Sequence, residues 1–110
     1  MKKTKNFTAN QTFYVKLIIF LSRILKLKRA KKVIADDFIS LFANRSLENI
    51  EKLDLSECVQ INDEVIKTIA LGCPMLECLM LNWCWDVRDQ GMEFLIRYCN
   101  SIKKLNLLGK

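Results

Sequence analysis

The stretch that decides the fold is IEKLDLSECVQINDEVIKTIALGCPMLECLMLNWCWDVRDQGMEFLIRYCNSIKKLNL, residues 50–107. When it is shifted by 26 residues against itself, nine positions meet a residue of similar chemical type. The nine pairs are Leu53/Leu79, Leu55/Leu81, Cys58/Cys84, Ile61/Val87, Asp63/Asp89, Ile66/Met92, Ile69/Leu95, Cys73/Cys99 and Leu76/Ile102. A third copy begins with Leu105 and Leu107. Self-similarity at a fixed period of about 20 to 29 residues predicts a repeat architecture, in which each unit packs against its neighbours.

Each copy predicts a short strand followed by a helix. Leu53 and Leu55 alternate with other residues at period two, which places both leucines on one side of a strand. Later positions recur at the i, i+3, i+4 and i+7 spacing of a helix face: Ile66, Ile69, Ala70 and Cys73, then Met92, Leu95, Ile96 and Cys99. Asp63 and Asp89 stand at N-cap or first-turn positions, and Gly72 predicts the end of the first helix.

The segment DDFISLFANRSLENI, residues 36–50, matches the helix half of the repeat imperfectly. Ile39 and Phe42 share one face of the predicted helix, and a shorter exit follows it. We therefore predict a degenerate first repeat at this point, and a repeat domain that spans residues 33–110.

The pattern L-x-x-L-x-L-x-x-C-x-x-(I/V)-x-D, with a second Cys after each helix, resembles the cysteine-containing subclass of leucine-rich repeats. That subclass is similar to the repeat domains of F-box/LRR proteins and the related antagonist-of-mitotic-exit proteins, and the resemblance covers about residues 47–110. It implies an α/β leucine-rich-repeat solenoid of about two full repeats plus partial ones. Short parallel strands would line the concave side and helices the convex side.

The same resemblance implies a protein-interaction module that recognises substrates for a cullin-type (SCF) ubiquitin ligase, so that its partner is a protein substrate or scaffold. Two features depart from the family. The next closing cysteine would fall at position 110, where the chain has Lys110. An F-box begins near a Leu-Pro pair, but the only proline here is Pro74, inside the repeats. No F-box is therefore recognisable, and nothing in the sequence predicts direct docking onto the ligase adaptor.

The composition does not favour an enzyme. There is no histidine, the commonest general base near neutral pH, and the three glycines lie too far apart to form a phosphate-binding loop. We therefore expect no catalytic residues, no cofactor and no small-molecule substrate. Five cysteines without a persuasive secretory signal predict a reducing compartment, the cytoplasm, the nucleus or both.

The cysteines allow two interpretations, a zinc site and buried structural thiols. Zinc needs about four converging ligands, which usually come in pairs two to four residues apart. Cys58 and Cys73, like Cys84 and Cys99, lie 15 residues apart within one repeat and recur in the same slots. This spacing favours structural thiols, and we expect no metal. Only Cys78 lies outside those slots.

If the leucines of each strand face the core, the residues between them face the other side of the sheet, where repeat proteins bind partners. In register these residues form three rows, which we predict to bind a partner: Lys52, Cys78 and Lys104; Asp54, Met80 and Asn106; Ser56, Asn82 and Leu108. Cys78 is then an accessible thiol, with Met80 beside it as an adaptable contact. The alternative is an ordinary solvated sheet.

Trp83 and Trp85 occupy the turn that leaves the second strand, in slots where the first repeat carries Glu57 and Val59. Tryptophan is frequent at interaction hot spots, so we predict that this rim contacts a partner. The alternative is that one of the two indoles only fills the groove between repeats. Trp85 is the stronger candidate for the partner contact, because its counterpart Val59 is much smaller.

The basic charge of the chain belongs to residues 1–32. This segment holds ten Lys and Arg and no acid, whereas residues 33–110 hold eight basic and twelve acidic residues, so the net charges are +10 and −4. We predict a helix from about residue 13, with an apolar side formed by Tyr14, Leu17, Ile18, Leu21, Ile24 and Leu25.

Three roles compete for this segment: a cap on the first repeat, a basic amphipathic helix on an anionic membrane, and nuclear-import or nucleic-acid contact through the tract KLKRAKK. We favour the cap, because the end of a repeat array must be covered. At this size the repeats bury little more apolar surface than chain entropy requires. We therefore expect a fragment, an isoform, or a chain that needs its N-terminal helix or a partner to stay folded.

Overall fold

The computed structural model describes residues 23–30, 33–43 and 47–109. These residues form four strands and three helices that alternate along the chain: β1 Ile24–Lys26, α1 Ala35–Ala43, β2 Lys52–Asp54, α2 Asp63–Gly72, β3 Cys78–Met80, α3 Asp89–Tyr98 and β4 Lys104–Asn106. The strands make one parallel sheet in the order β1-β2-β3-β4. The predicted strand-and-helix unit is confirmed, and the fold is mixed α/β.

Equivalent residues of successive units lie side by side in the sheet. Leu53 is in register with Leu79, and Leu79 with Leu105, as the 26-residue offset predicts. The pairing continues beyond the strands, because the Leu55 N–H donates to the Met80 carbonyl at 2.9 Å. Each strand is thus held to its neighbour along its whole length and into the turn that follows.

The core lies between the sheet and the helices. It is formed by the leucines of the strands, the repeat cysteines and one face of each helix, and its largest fully buried members include Phe38, Phe42, Leu53, Leu55, Ile66, Ile69, Leu79 and Leu81. The helices approach one another closely: a Cβ at Gly72 would collide with the Phe42 carbonyl oxygen, and one at Gly91 would come within 2.5 Å of Asp63 Oδ1. Larger side chains at these glycines would push the helices apart.

The caps of the helices refine the sequence prediction. Asn62, not Asp63, is the N-cap of α2, and its side chain accepts a hydrogen bond from the Val65 N–H at 3.1 Å. Asp63 lies in the first turn and accepts the Arg88 N–H at 2.7 Å through Oδ1. Since Arg88 is the N-cap of α3, this bond ties the start of one helix to the start of the next.

The predicted helix in the N-terminal segment is wrong at Ile24 and Leu25, which lie in strand β1. Leu25 pairs in register with Leu53, at an offset of 28 residues instead of 26. Residues 24 to 27 alternate at period two, as the later strands do, and backbone hydrogen bonds to β2 select the strand. The sheet therefore begins before the boundary predicted at residue 33. The other helix-face residues, Tyr14, Leu17, Ile18 and Leu21, lie outside the described residues.

Ile96 also departs from the predicted apolar stripe. Its counterpart Ala70 is buried, because α3 packs against α2. Ile96 is 80% exposed, since among the described residues no helix follows α3 to cover it. The repeat pattern therefore marks the face on which a neighbour packs, and that face stays open at the last helix.

Candidate protein-interaction surface

The repeat cysteines are buried and tie neighbouring units together. Cys58 Sγ donates to the Leu27 carbonyl at 2.9 Å, and Cys84 Sγ donates to the Leu55 carbonyl at 3.0 Å. Leu27 and Leu55 occupy equivalent positions, so the same bond is made twice. The structural interpretation of these thiols is thus extended by a role that sequence alone did not predict: each one satisfies a carbonyl of the preceding unit.

The second pair of repeat cysteines lies at the ends of the helices. Burial raises the pKa of the Cys73 thiol to about 12, with a further contribution from the nearby Cys99, and burial also raises the pKa of Cys99. Both thiols are therefore protonated near neutral pH, which does not favour nucleophilic chemistry. Within the described residues, no group of three or more His, Cys, Asp or Glu side chains is placed to hold a metal ion.

The first two of the three predicted rows are brought together on the side of the sheet away from the helices. Strand pairing places Lys52, Cys78 and Lys104 in one row and Asp54, Met80 and Asn106 in the next. Strand β1 extends the rows by Ile24 and Lys26. We call these eight residues the sheet face: Ile24, Lys26, Lys52, Asp54, Cys78, Met80, Lys104 and Asn106. All of them are exposed or half-buried.

The three residues of the third row differ in burial: Leu108 is exposed, Asn82 is half-buried and Ser56 is buried. Ser56 is buried, with 3% exposure, and its N–H donates to Asp54 Oδ1 at 3.0 Å. The strand ends at Asp54 and the chain turns at Glu57, whose φ is 62°, so the alternation of sides no longer holds at Ser56. Asn82 is also engaged by the turn, since its Oδ1 accepts the Leu108 N–H at 2.9 Å. The prediction that Ser56 is accessible to a partner is wrong.

A shallow groove of about 210 Å³ runs across the sheet face between β1, β2 and β3. Ile24, Met80 and Cys78 supply its apolar walls, and Lys26 and Lys52 flank it. A larger hollow of about 490 Å³ lies on the helix side, between α1 and α2. It adjoins Ala43, where a described range ends, whereas the sheet-face groove is bounded by three paired strands.

Most basic residues at the edges of the sheet are already paired. Arg23 contacts Glu51 at 2.6 Å, and Lys103 contacts Glu77 at 3.1 Å. Arg29 contacts Glu57 at 2.7 Å, and the hydrogen bond from Arg29 is the main reason why the pKa of Glu57 is lowered. By contrast, Lys26, Lys52 and Lys104 of the sheet face form no ion pair with any other described residue.

The two tryptophans have different surroundings. Trp83 adopts a left-handed backbone with φ 65°, and its ring lies against the backbone of Gly109 so closely that a Cβ there would collide with it. Trp85 is 68% exposed, compared with 44% for Trp83. One indole thus covers the next turn, and the other faces solvent. Whether either binds a partner stays a prediction.

The left-handed slot recurs in every unit, and sequence reasoning missed it. Arg29, Glu57, Trp83 and Gly109 all have φ between 62° and 87°. Glycine adopts this conformation at little cost, whereas tryptophan does not. The sequence did contain one signal of this left-handed position: Gly109, which stands 26 residues after Trp83.

The alternative role for residues 1–32 lies mostly outside the described residues. Of the ten basic residues in that segment, four are described, and three of these (Arg23, Lys28 and Arg29) form ion pairs with Glu51 or Glu57. Their charge is thus partly compensated within the fold. Among the described residues there is also no helix of the length and apolarity needed to cross a bilayer.

Comparison with known proteins gives similarities in both sequence and structure. No family model matches the chain. Over 101 residues, 88% of the chain, the sequence is 30% identical to the F-box/LRR-repeat protein 4 of Bos taurus, of which the chain spans only 16%. The structure resembles the tropomodulin C-terminal domain of Caenorhabditis elegans with a TM-score of 0.63 and 18% identity, covering 86% of this chain and 62% of that domain.

At that identity the structural likeness shows the fold alone, which is leucine-rich-repeat-like. The sequence similarity points the same way, because the relative is itself an F-box/LRR-repeat protein. The two comparisons and the parallel sheet agree on the kind of fold that the doubled 26-residue pattern predicted.

Proposed function

We propose that this chain is a protein-interaction module, built as a leucine-rich-repeat solenoid, that binds its partner through the sheet face and the Trp85 rim. The observation that carries the proposal is the contrast between the two sides of the strands. Leu53 and Leu79 are identical and buried, whereas their neighbours Asp54 and Met80 differ in chemistry and remain accessible. Side chains that the fold does not constrain are free to suit a partner.

The proposal extends to substrate recognition for a cullin-type ubiquitin ligase, in the cytoplasm or nucleus. Its support is the 30% identity to an F-box/LRR-repeat protein together with the cysteine-containing repeat pattern. The sheet face would then hold the protein to be ubiquitylated. The ligase itself would be reached through a segment or subunit other than the described repeats.

Affinity purification of the tagged full chain, followed by mass spectrometry, tests both parts. The wild type is compared with the double variant Met80→Glu/Trp85→Ala, which alters the sheet face and the rim. The control is Ile96→Ser, which alters an exposed apolar residue on α3. We expect the double variant to lose a partner that Ile96→Ser retains. We also expect cullin-ligase subunits among the wild-type proteins, and slower turnover of the partner when the chain is depleted.

The outcomes separate the two parts of the proposal. Suppose that the double variant loses a partner, but that no ligase subunit co-purifies with the wild type and the partner's turnover does not change. The ligase role would then be refuted, and the interaction module would remain. Partners that bind all three forms equally would contradict the assignment of the binding surface.

A further inference from the structure

The sheet face has an uncompensated positive charge. Lys26, Lys52 and Lys104 have no ion-pair partner among the described residues, and Asp54 is the one carboxylate of the eight sheet-face residues. The face thus has a net charge of +2 from three lysines and one aspartate. This charge is local, because the described residues as a whole are net acidic, with ten basic and twelve acidic residues.

The same face has an apolar depression at its centre. The groove between β1, β2 and β3 is walled by Ile24, Cys78 and Met80, and Ile24 is about half exposed. An apolar side chain of a partner would bury the walls of this groove, and Met80 can adjust its rotamer to such a guest. The lysines around the groove would meanwhile attract carboxylates on either side of that side chain.

The distance between the lysines determines how far apart the carboxylates of a bound partner must lie. Lys52 on β2 and Lys104 on β4 occupy one row and are separated by two strand spacings, which is about 10 Å. A polyproline II chain is extended, has three residues per turn and advances about 3.1 Å per residue, so two acidic side chains three positions apart lie on one side and span about the same distance. An apolar residue beside this pair would face the groove.

We infer that the sheet face binds an extended acidic segment of a protein, with two Asp or Glu side chains about three residues apart paired with Lys52 and Lys104, and an apolar side chain seated in the groove. The inference rests on the proposed function and adds the chemistry of its ligand. A nucleic acid fits less well, because the sheet face carries only three unpaired lysines among the described residues, a carboxylate lies among them, and none of its eight residues is aromatic and able to stack on a base.

A random nine-residue peptide display library, selected on the full chain, tests the inference. We expect the selected peptides to be enriched in Asp and Glu, with pairs about three residues apart beside an apolar residue. For a selected peptide, Lys52→Gln and Lys104→Gln should each weaken binding by about two- to fivefold, as expected for one exposed ion pair. Met80→Glu, which replaces an apolar wall of the groove by a negative charge, should weaken it more than tenfold.

Lys103→Gln is the matched control. Lys103 is the same residue type, one position before Lys104, but it is paired with Glu77 at 3.1 Å. Removing it should change peptide affinity by less than twofold. Circular dichroism checks that all four variants keep the wild-type fold, which we expect because the altered side chains are exposed or half-buried.

Several results would overturn the inference. Selected peptides that are neutral or basic, or that bind Lys52→Gln and Lys104→Gln as well as the wild type, would refute the acidic ligand while leaving a protein-interaction module in place. Failure of the library to yield any binder would also refute it. Tighter binding of a uridine oligonucleotide or of phosphatidylserine vesicles through the same lysines would replace it by phosphate recognition, and would count against the proposed function as well.

Discussion

The two sides of each strand differ in how similar their residues are from one repeat unit to the next. On the inner side, Leu25, Leu53, Leu79 and Leu105 stand in register, the same residue four times. On the outer side, the neighbouring row contains Ile24, Lys52, Cys78 and Lys104, which share neither size nor charge. The inner residues meet the helices of the same fold, whereas the outer residues are exposed or half-buried within the described part of the chain.

The difference teaches how such a chain separates stability from recognition. The inner positions need one shape and one polarity because each unit packs on an identical neighbour, so any deviation leaves a cavity or a clash. Nothing in the fold imposes a shape on the outer positions. Substitutions on the two sides should therefore have effects of different kinds.

The largest effect should follow from truncation on the inner side. Leu79 is fully buried in β3, between two neighbouring strands, so Leu79→Ala should lower the free energy of unfolding by about 2–5 kcal/mol. The next residue, Met80, faces outward, and Met80→Ala should cost no more than about 1 kcal/mol. Urea denaturation followed by circular dichroism measures both. Equal losses at the two positions would break the distinction between the sides.

A smaller effect should follow from removal of an inner thiol. Cys84→Ala deletes the donor to the Leu55 carbonyl and leaves that buried carbonyl with one bond fewer, at a cost of about 1–3 kcal/mol. Cys78→Ala removes the outer thiol and should change stability by less than about 0.5 kcal/mol. The same denaturation experiment compares them. If Cys78→Ala proved the more damaging, the assignment of the cysteine slots would be mistaken.

The smallest effect should come from an exposed ion pair. Arg29 lowers the pKa of Glu57 below its usual value of 4.5, so the unfolded state binds the proton more readily. The pair therefore stabilises the fold above pH 4.5, and this contribution disappears as the pH falls through the lowered pKa of Glu57.

Arg29→Gln should accordingly make the stability less dependent on pH below 4.5. Lys26→Gln, which removes a lysine with no ion-pair partner among the described residues and leaves Glu57 untouched, should keep the wild-type dependence in that range. Thermal unfolding between neutral pH and the acid limit of solubility compares the three proteins at low salt, because salt screens exposed pairs. Identical pH profiles for wild type and Arg29→Gln would show that the pair contributes nothing to stability.

The later units were predictable from sequence because two full copies constrain each other. Any one strand or helix is ambiguous, but Leu53 with Leu79 and Cys73 with Cys99 fix the same assignment twice. Strand β1 had no such support. Its one leucine, Leu25, fits a helix face with Leu21 and a strand face with Leu27. Only the pairing with β2, at an offset of 28 residues, decides between the two.

The candidate surface was predictable only as far as the strands extend. Alternation places Lys52 and Asp54 on the outer side correctly, and it fails at Ser56 because the chain turns at Glu57 with a left-handed backbone. The unpaired charge of the sheet face also could not be predicted from the sequence. Sequence shows which lysines exist, but which of them meet a carboxylate depends on contacts between units, such as that of Lys103 with Glu77.

The five cysteines provide the most direct test of inner and outer positions. Four of them, Cys58, Cys73, Cys84 and Cys99, are buried, and Cys78 is half-buried on the sheet face. Alkylation of the native protein with iodoacetamide at pH 8, followed residue by residue by mass spectrometry, should modify Cys78 at least tenfold faster than the other four. Denaturant should remove the difference. If any of the four reacted as fast as Cys78 in the native protein, the assignment of inner and outer positions from the repeat would be contradicted.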